Sequence, residues 1–152
     1  MNNDIPNNDM NMVTTKSAAE TRELGKQLAV QLKAGDVILL EGDLGAGKSE
    51  FARGVAKGLG VTETVTSPSF TILNVYESGK LPLYHFDWYR LESEEELYEL
   101  GMDEYLGGDG IAVVEWAERC PDAVPEDCIR IRLEATGEET RRITVNDGRR
   151  VD

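Results

Sequence analysis

The sequence predicts an α/β fold, a mixed central sheet flanked by helices in three layers, and three observations point to it. The run Val37-Ile38-Leu39-Leu40 is continuously apolar, the pattern of a strand buried on both faces. A glycine-rich stretch from Gly42 to Gly47 follows it directly and leads into a helical pattern. Two later segments read as strand pairs across the short turns Ser78-Gly79-Lys80 and Thr136-Gly137-Glu138, and hairpins bring antiparallel neighbours into a sheet.

The elements follow in order. Residues 1–12, rich in Asn and Asp, read as a disordered tail. Ser17 and Glu20 form a capping box that opens a helix to about Lys33, with Leu24, Leu28 and Leu32 on one face. Ala34-Gly35 stops it, and a strand runs from Asp36 to Glu41. The helix after the glycine-rich loop starts near Lys48 and ends by Gly58 or Gly60. Strands are expected at Ser69–Val75 and Leu81–Phe86, then a short helix capped by Ser93 and Glu96 and reaching about Leu100. A further apolar strand spans Gly110–Glu115, and Cys128–Glu134 with Arg141–Val145 close the chain as a hairpin. This gives one domain over 13–146 and a C-terminal tail over 147–152.

Composition narrows the function. A length of 152 residues suits one domain with a core. The net charge of -13 argues against broad electrostatic gripping of nucleic acid but suits a partner with a basic face. Cys120 and Cys128 form no CxxC pair and His85 is the only histidine, so a zinc site is not expected. The N-terminus lacks the basic start and apolar run of a signal peptide, and no segment is long enough to span a membrane. The expected location is the cytoplasm.

The stretch Gly42-Asp43-Leu44-Gly45-Ala46-Gly47-Lys48-Ser49 is a P-loop between a buried strand and a helix. Its glycines let the backbone wrap phosphate oxygens, and the N–H groups of the loop and helix N-terminus point at the anion. Lys48 supplies a cation for the outer phosphates and Ser49 a hydroxyl for Mg²⁺. The fold is therefore expected to be P-loop NTPase-like, and the cofactors ATP and Mg²⁺. Such a site needs a carboxylate at a neighbouring strand end. Glu115, ending the more apolar strand, is assigned to the metal, directly or through water, and Asp87 to orienting or activating the attacking water, or to sharing the metal. Trp116 is placed over the nucleotide site, as a partner-docking residue, or as a half-buried packing residue. His85 reads more readily as a structural hydrogen-bonder than as a catalyst. Thr66-Ser67-Pro68-Ser69-Phe70 sits where nucleotide-responsive loops sit.

Together the P-loop, Ser67-Pro68-Ser69-Phe70, His85-Phe86-Asp87-Trp88-Tyr89-Arg90 and Val114-Glu115-Trp116 resemble the bacterial TsaE (YjeE) family over roughly residues 13–146. The resemblance implies a partner-activated ATPase, slow alone, required for threonylcarbamoyl modification of adenosine 37 in tRNAs reading codons that begin with A. It implies TsaB-like and TsaD-like proteins as partners, with tRNA met only indirectly through the complex. Carried onto this chain, it gives Lys48 to phosphate, Ser49 and Glu115 to metal and Asp87 to hydrolysis. It also suggests Thr15 and Arg141 as the positions nearest the base. Glu50 departs from the family, which commonly has a hydroxyl residue there. A carboxylate in that first helical turn faces phosphate with like charge, so its removal is expected to tighten ATP binding about tenfold; the competing reading is that Glu50 points away or pairs with a base such as Arg53 and costs nothing.

Two other readings compete. A small-molecule kinase would need a second pocket and an arginine-bearing lid, yet only Arg53 and Arg90 lie between the P-loop and Glu115. A nucleotide-sensing regulator without turnover would be separated by single-turnover hydrolysis. A GTPase is disfavoured because no Asn-Lys-x-Asp motif occurs.

Overall fold

The computed structural model describes residues 10–43 and 45–149. Its strands are β1 (Met10–Thr15), β2 (Val37–Glu41), β3 (Leu73–Tyr76), β4 (Leu83–Asp87), β5 (Ile111–Glu115), β6 (Ile129–Ala135) and β7 (Arg141–Asp147). They form one sheet in the order β1-β7-β6-β2-β5-β4-β3. The four inner strands β6, β2, β5 and β4 run parallel, whereas β1, β7 and β3 pair antiparallel at the flanks. The mixed α/β sheet of the sequence reading is therefore present.

The helices are α1 (Ala18–Ala29), α2 (Lys48–Gly58), α3 (Glu94–Glu99) and α4 (Met102–Tyr105). Alternation along β2 separates two cores. Ile38 and Leu40 face one side, with Leu28 of α1, Phe51 and Val55 of α2 and Ile131 of β6. Val37 and Leu39 face the other, with Phe86, Trp88, Leu97 of α3 and Met102 of α4. This explains why the run reads as unbroken apolar sequence: each face needs its own alternate residues. The β6–β7 hairpin alternates instead, Ile129, Ile131 and Leu133 inward and Arg130 and Arg132 outward, because one of its faces meets solvent. Helices α1 and α2 cross closely at Gly54, where any side chain would run into the carbonyl of Arg22.

Several boundaries differ from the sequence reading. The tail does not extend to residue 12, since β1 pairs with β7 from Met10↔Asn146 to Thr15↔Arg141. An edge strand exposing Met12 and Thr14 carries no apolar run, so composition hid it. The expected tail residues 1–9 lie outside the described residues. At the other end Asp147 belongs to β7 and is buried. Arg149 clamps it at 2.7 Å and reaches Asp36 at 3.0 Å and the Gln31 carbonyl at 2.9 Å. The body thus extends past 146 because an ion network, invisible to hydrophobic periodicity, holds those residues.

Helix α1 ends at Ala29, with only turn-like hydrogen bonds continuing to Leu32. Strand β3 begins at Leu73 rather than Ser69. Ile72 takes a left-handed φ of 69°, which breaks extended backbone. The Ser17–Glu20 box forms in part as expected, Ser17 Oγ accepting from Glu20 N at 3.1 Å, while Glu20 accepts from Lys16 N. The Ser93 box does not form: Ser93 makes no side-chain cap, and Glu96 accepts from Glu92 N at 3.4 Å instead. Helix α4 was not expected.

Candidate functional site at the carboxyl ends of the parallel strands

The P-loop leaves the carboxyl end of β2, between β5 and β6, where the neighbouring connections diverge and open a crevice. Gly42 has φ 153°, and a Cβ there would stand 2.6 Å from the Leu133 carbonyl, so only glycine lets the chain turn at this point. Gly47 is the N-cap of α2 with φ 103° and offers no side-chain cap. The first N–H groups of α2 therefore face the crevice without an internal partner, the arrangement that receives an anion.

A cleft of about 560 Å³ opens there. It is lined by Gly45, Gly47, Lys48 and Ser49 of the loop, by Asp87 and Glu115 of the strand ends, and by Trp116. Register explains the carboxylates, since Asp87 of β4 pairs directly with Glu115 of β5, and Glu115 with Leu40 of β2. Lys48 Nζ lies 4.0 Å from Glu115 Oε1 and 4.3 Å from the Trp116 ring centroid. His85 Nε2 lies 2.7 Å from Glu115 Oε2. A carboxylate only accepts, so Nε2 carries the hydrogen. His85 is thus the hydrogen-bonder that its position suggested. Among the described residues no cluster of three or more His, Cys, Asp or Glu forms a ready-made metal cage. Ser49 and Glu115 both line this cleft.

Burial pushes the Asp87 carboxyl above its ordinary value, and the Glu115 charge adds to this, while a hydrogen bond from Tyr89 N and the Lys48 charge pull it back. That bond, 2.9 Å to Oδ1, fixes the carboxylate. Trp116, at φ 60°, turns its half-buried ring against Lys48 and 4.9 Å from Tyr89, so it belongs to the cleft wall.

Ser67 and Ser69 line the cleft opposite the loop. Their segment is tied back to the strand-end acids, because Ile72 N donates to Pro68 O at 2.7 Å and Asp87 N donates to Ile72 O at 2.8 Å. Arg141 also lines it, donating to Gly45 O at 3.0 Å and to the carbonyls of Gly137, Glu138 and Thr140. A second cleft of about 220 Å³ adjoins, lined by Ala18, Thr21, Gly47, Glu50, Glu138, Glu139 and Arg141.

Not every expected residue reaches the clefts. Thr15 is buried and spends its hydroxyl on Thr21 at 2.7 Å, so Thr21, not singled out from sequence, stands at the wall in its place. Asp43 is exposed at the loop start, its carbonyl accepting from Ala46 N. Leu44 lies outside the described residues. Glu50 lines both clefts, but its carboxylate is paired with Arg53 at 3.1 Å and Arg22 at 3.5 Å. Arg90 lines the main cleft although sequence spacing left arginines sparse. Its nearness to Asp87 in sequence was the available signal.

The family model for "Threonylcarbamoyl adenosine biosynthesis protein TsaE" matches residues 15–143. A Bacillus subtilis (strain 168) protein named tRNA threonylcarbamoyladenosine biosynthesis protein TsaE is 47% identical over 130 residues, 86% of this chain and 81% of the relative. The Treponema pallidum protein of the same name is 43% identical over 131 residues, covering 86% of this chain and 96% of its own length. The crystal structure of Bacillus subtilis YdiB superposes with a TM-score of 0.80 at 40% identity, over 91% of this chain and 86% of that one. With the P-loop NTPase-like three-layer fold and these relatives in agreement, the chain belongs to the TsaE family.

Proposed function

We propose that the chain is a magnesium-dependent ATPase acting in the threonylcarbamoyl modification of adenosine 37 of tRNA, and that TsaB-like and TsaD-like proteins activate it. The observation that carries the hydrolytic reading is the convergence of the uncapped α2 N-terminus, Lys48, Glu115 and Asp87 on one cleft. The pathway follows from the names that the relatives carry.

The loop and α2 N-terminus cradle the β- and γ-phosphates, and Lys48 neutralises their charge. Ser49 and Glu115 would hold Mg²⁺, which would supply positive charge to the phosphate oxygens. Asp87, held by Tyr89 N, orients water in line and takes up its proton. Water oxygen bonds to the γ-phosphorus as the bond to the β–γ bridging oxygen breaks. The electron pair leaves with ADP, and inorganic phosphate is the other product. The adjoining cleft at Thr21, Glu138, Glu139 and Arg141 suits the nucleoside.

A net charge of -13 favours a partner pair with a basic face, and tRNA is met through that complex. Among the described residues no helix is long and apolar enough to cross a membrane. The test is steady-state ATP hydrolysis by the chain alone and with the TsaB-like and TsaD-like pair. Slow turnover raised by the pair, with association weakening as salt rises, is expected. Fast hydrolysis by the chain alone, unmoved by the pair, contradicts the proposal.

A further inference from the structure

Arg90 occupies the cleft without a duty in the hydrolysis just described. It shares that lining with Lys48, Ser49, Asp87 and Glu115. The cleft's other arginine, Arg141, is committed to four backbone carbonyls. Nearby, Arg22 and Arg53 are committed to Glu50. Arg90 instead stacks on Phe70, its guanidinium carbon 4.4 Å from the ring centroid. An arginine stacked on a ring keeps its in-plane N–H donors available.

Phe70 is no core residue, being 82% exposed. It ends the Ser67–Phe70 segment, whose serines line the same cleft as the P-loop and whose continuation at Ile72 accepts from Asp87 N. The seat of Arg90 is therefore joined to the cleft wall at Ser67 and Ser69 and, through Ile72, to Asp87. An exposed aromatic ring holding a cation beside a phosphate site competes with phosphate for that cation.

We propose that Arg90 is an arginine finger supplied by the chain itself, and that Phe70 sets its position by competing for the guanidinium. The inference rests on the reading of the cleft as an ATP-hydrolysing site. As the water oxygen bonds to the γ-phosphorus and the bridging bond breaks, the Arg90 donors meet the oxygens on which charge accumulates. Asp87 receives the water proton, and ADP leaves with the electron pair. The stack on Phe70 holds back that contact and contributes to slow turnover in the isolated chain.

The experiment compares wild type, Arg90→Ala, Arg90→Lys, Phe70→Ala and the double variant. Each is measured for ATP and ADP affinity, for affinity toward ADP with fluoroaluminate as a transition-state analogue, and for single-turnover hydrolysis. Arginine fingers are worth about 10³–10⁵ in rate, so Arg90→Ala should slow hydrolysis at least about a hundredfold, with ATP affinity within about threefold. It should also abolish the gain in affinity that fluoroaluminate gives to ADP, and Arg90→Lys should restore only part of that gain. Phe70→Ala should raise hydrolysis severalfold, and the double variant should lose the rise.

Overturning results are an undiminished fluoroaluminate complex in Arg90→Ala, an equal loss of ATP and analogue affinity, or a rate rise from Phe70→Ala that survives without Arg90. A wild-type chain that binds no ATP overturns the nucleotide reading itself, and the Arg90 assignment with it. ATP turnover indifferent to Arg90 overturns the assignment alone.

Discussion

His85 Nε2 and Lys48 Nζ divide the two oxygens of Glu115 between them, the first at 2.7 Å and the second at 4.0 Å. The histidine side is the permanent one, because His85 is buried in β4. The lysine side is the exchangeable one in the proposed function, in which Lys48 turns toward phosphate. Glu115→Gln can keep a partner for His85 while removing the charge from the proposed Mg²⁺ position. We expect ATP affinity measured with Mg²⁺ to fall at least about tenfold, while affinity without Mg²⁺ holds or rises as Lys48 is released. Calorimetric titration with and without Mg²⁺ checks this, and equal losses in both would assign Glu115 to another role.

Asp87→Asn should slow hydrolysis about a hundredfold or more and spare ATP binding. It should also stabilise the nucleotide-free protein near neutral pH. Burial raises the folded Asp87 carboxyl above its unfolded value, so the folded state holds the proton more tightly. For this group stability is greatest below the unfolded carboxylate value, falls as pH rises to the raised folded value, and stays lost above it. Thermal unfolding of wild type and variant should therefore diverge on going from about pH 4 to pH 7. A variant less stable at pH 7 than wild type would show that the Tyr89 bond outweighs desolvation.

The pairing of Glu50 with Arg53 and Arg22 changes what its replacement does. The sequence leaves two cases for Glu50→Thr, about tenfold tighter ATP binding if the like charge stands alone and no gain if it pairs with a base such as Arg53. In the structure that charge sits within a partly exposed ion cluster, which solvent and salt screen. We expect a change below about threefold at 0.15 M salt, growing toward tighter binding as salt falls and the Debye length lengthens. ATP titrations at two ionic strengths separate the cases, and tenfold tightening independent of salt would restore the lone-charge reading.

The C-terminal clamp makes a stability prediction. Burial pushes the Asp147 carboxyl up, but the hydrogen bonds and charge of Arg149 outweigh it and hold it below its ordinary value. Its contribution is present above the unfolded carboxylate value and is lost as pH falls through the lowered folded one. Arg149→Leu leaves a buried carboxylate unpaired and should cost about 3 kcal/mol. Denaturant unfolding at pH 7 measures it, with the loss shrinking toward acid pH. A deficit that is the same at all pH values would trace to lost packing rather than to the pair.

What could be read without coordinates was what local chemistry encodes. The P-loop, the strand-end placement of Asp87 and Glu115 and the β6–β7 hairpin depend on short-range spacing, and all stand where expected. Strand β1 escaped because an edge strand is defined by its partner β7, not by an apolar run of its own. Arg90 and Thr21 escaped for a related reason. Beyond the nearness of Arg90 to Asp87, nothing in their neighbours states that a turn at Ile72 and a helix crossing at Gly54 bring Ser67, α1 and the loop to one cleft. Thr15 gives its hydroxyl to Thr21, which itself lines the second cleft.

The most direct measurement is calorimetric titration of ATP with Mg²⁺ into wild type and Lys48→Ala. Lys48 is buried beside Glu115 and Trp116 at the mouth of α2, and it is the P-loop's own cation. Wild type should bind one ATP per chain, and the variant should lose at least about 1.4 kcal/mol, a tenfold or greater drop in affinity. Equal affinity in the two proteins, or no binding by wild type, would contradict the assignment of this cleft to nucleotide phosphate.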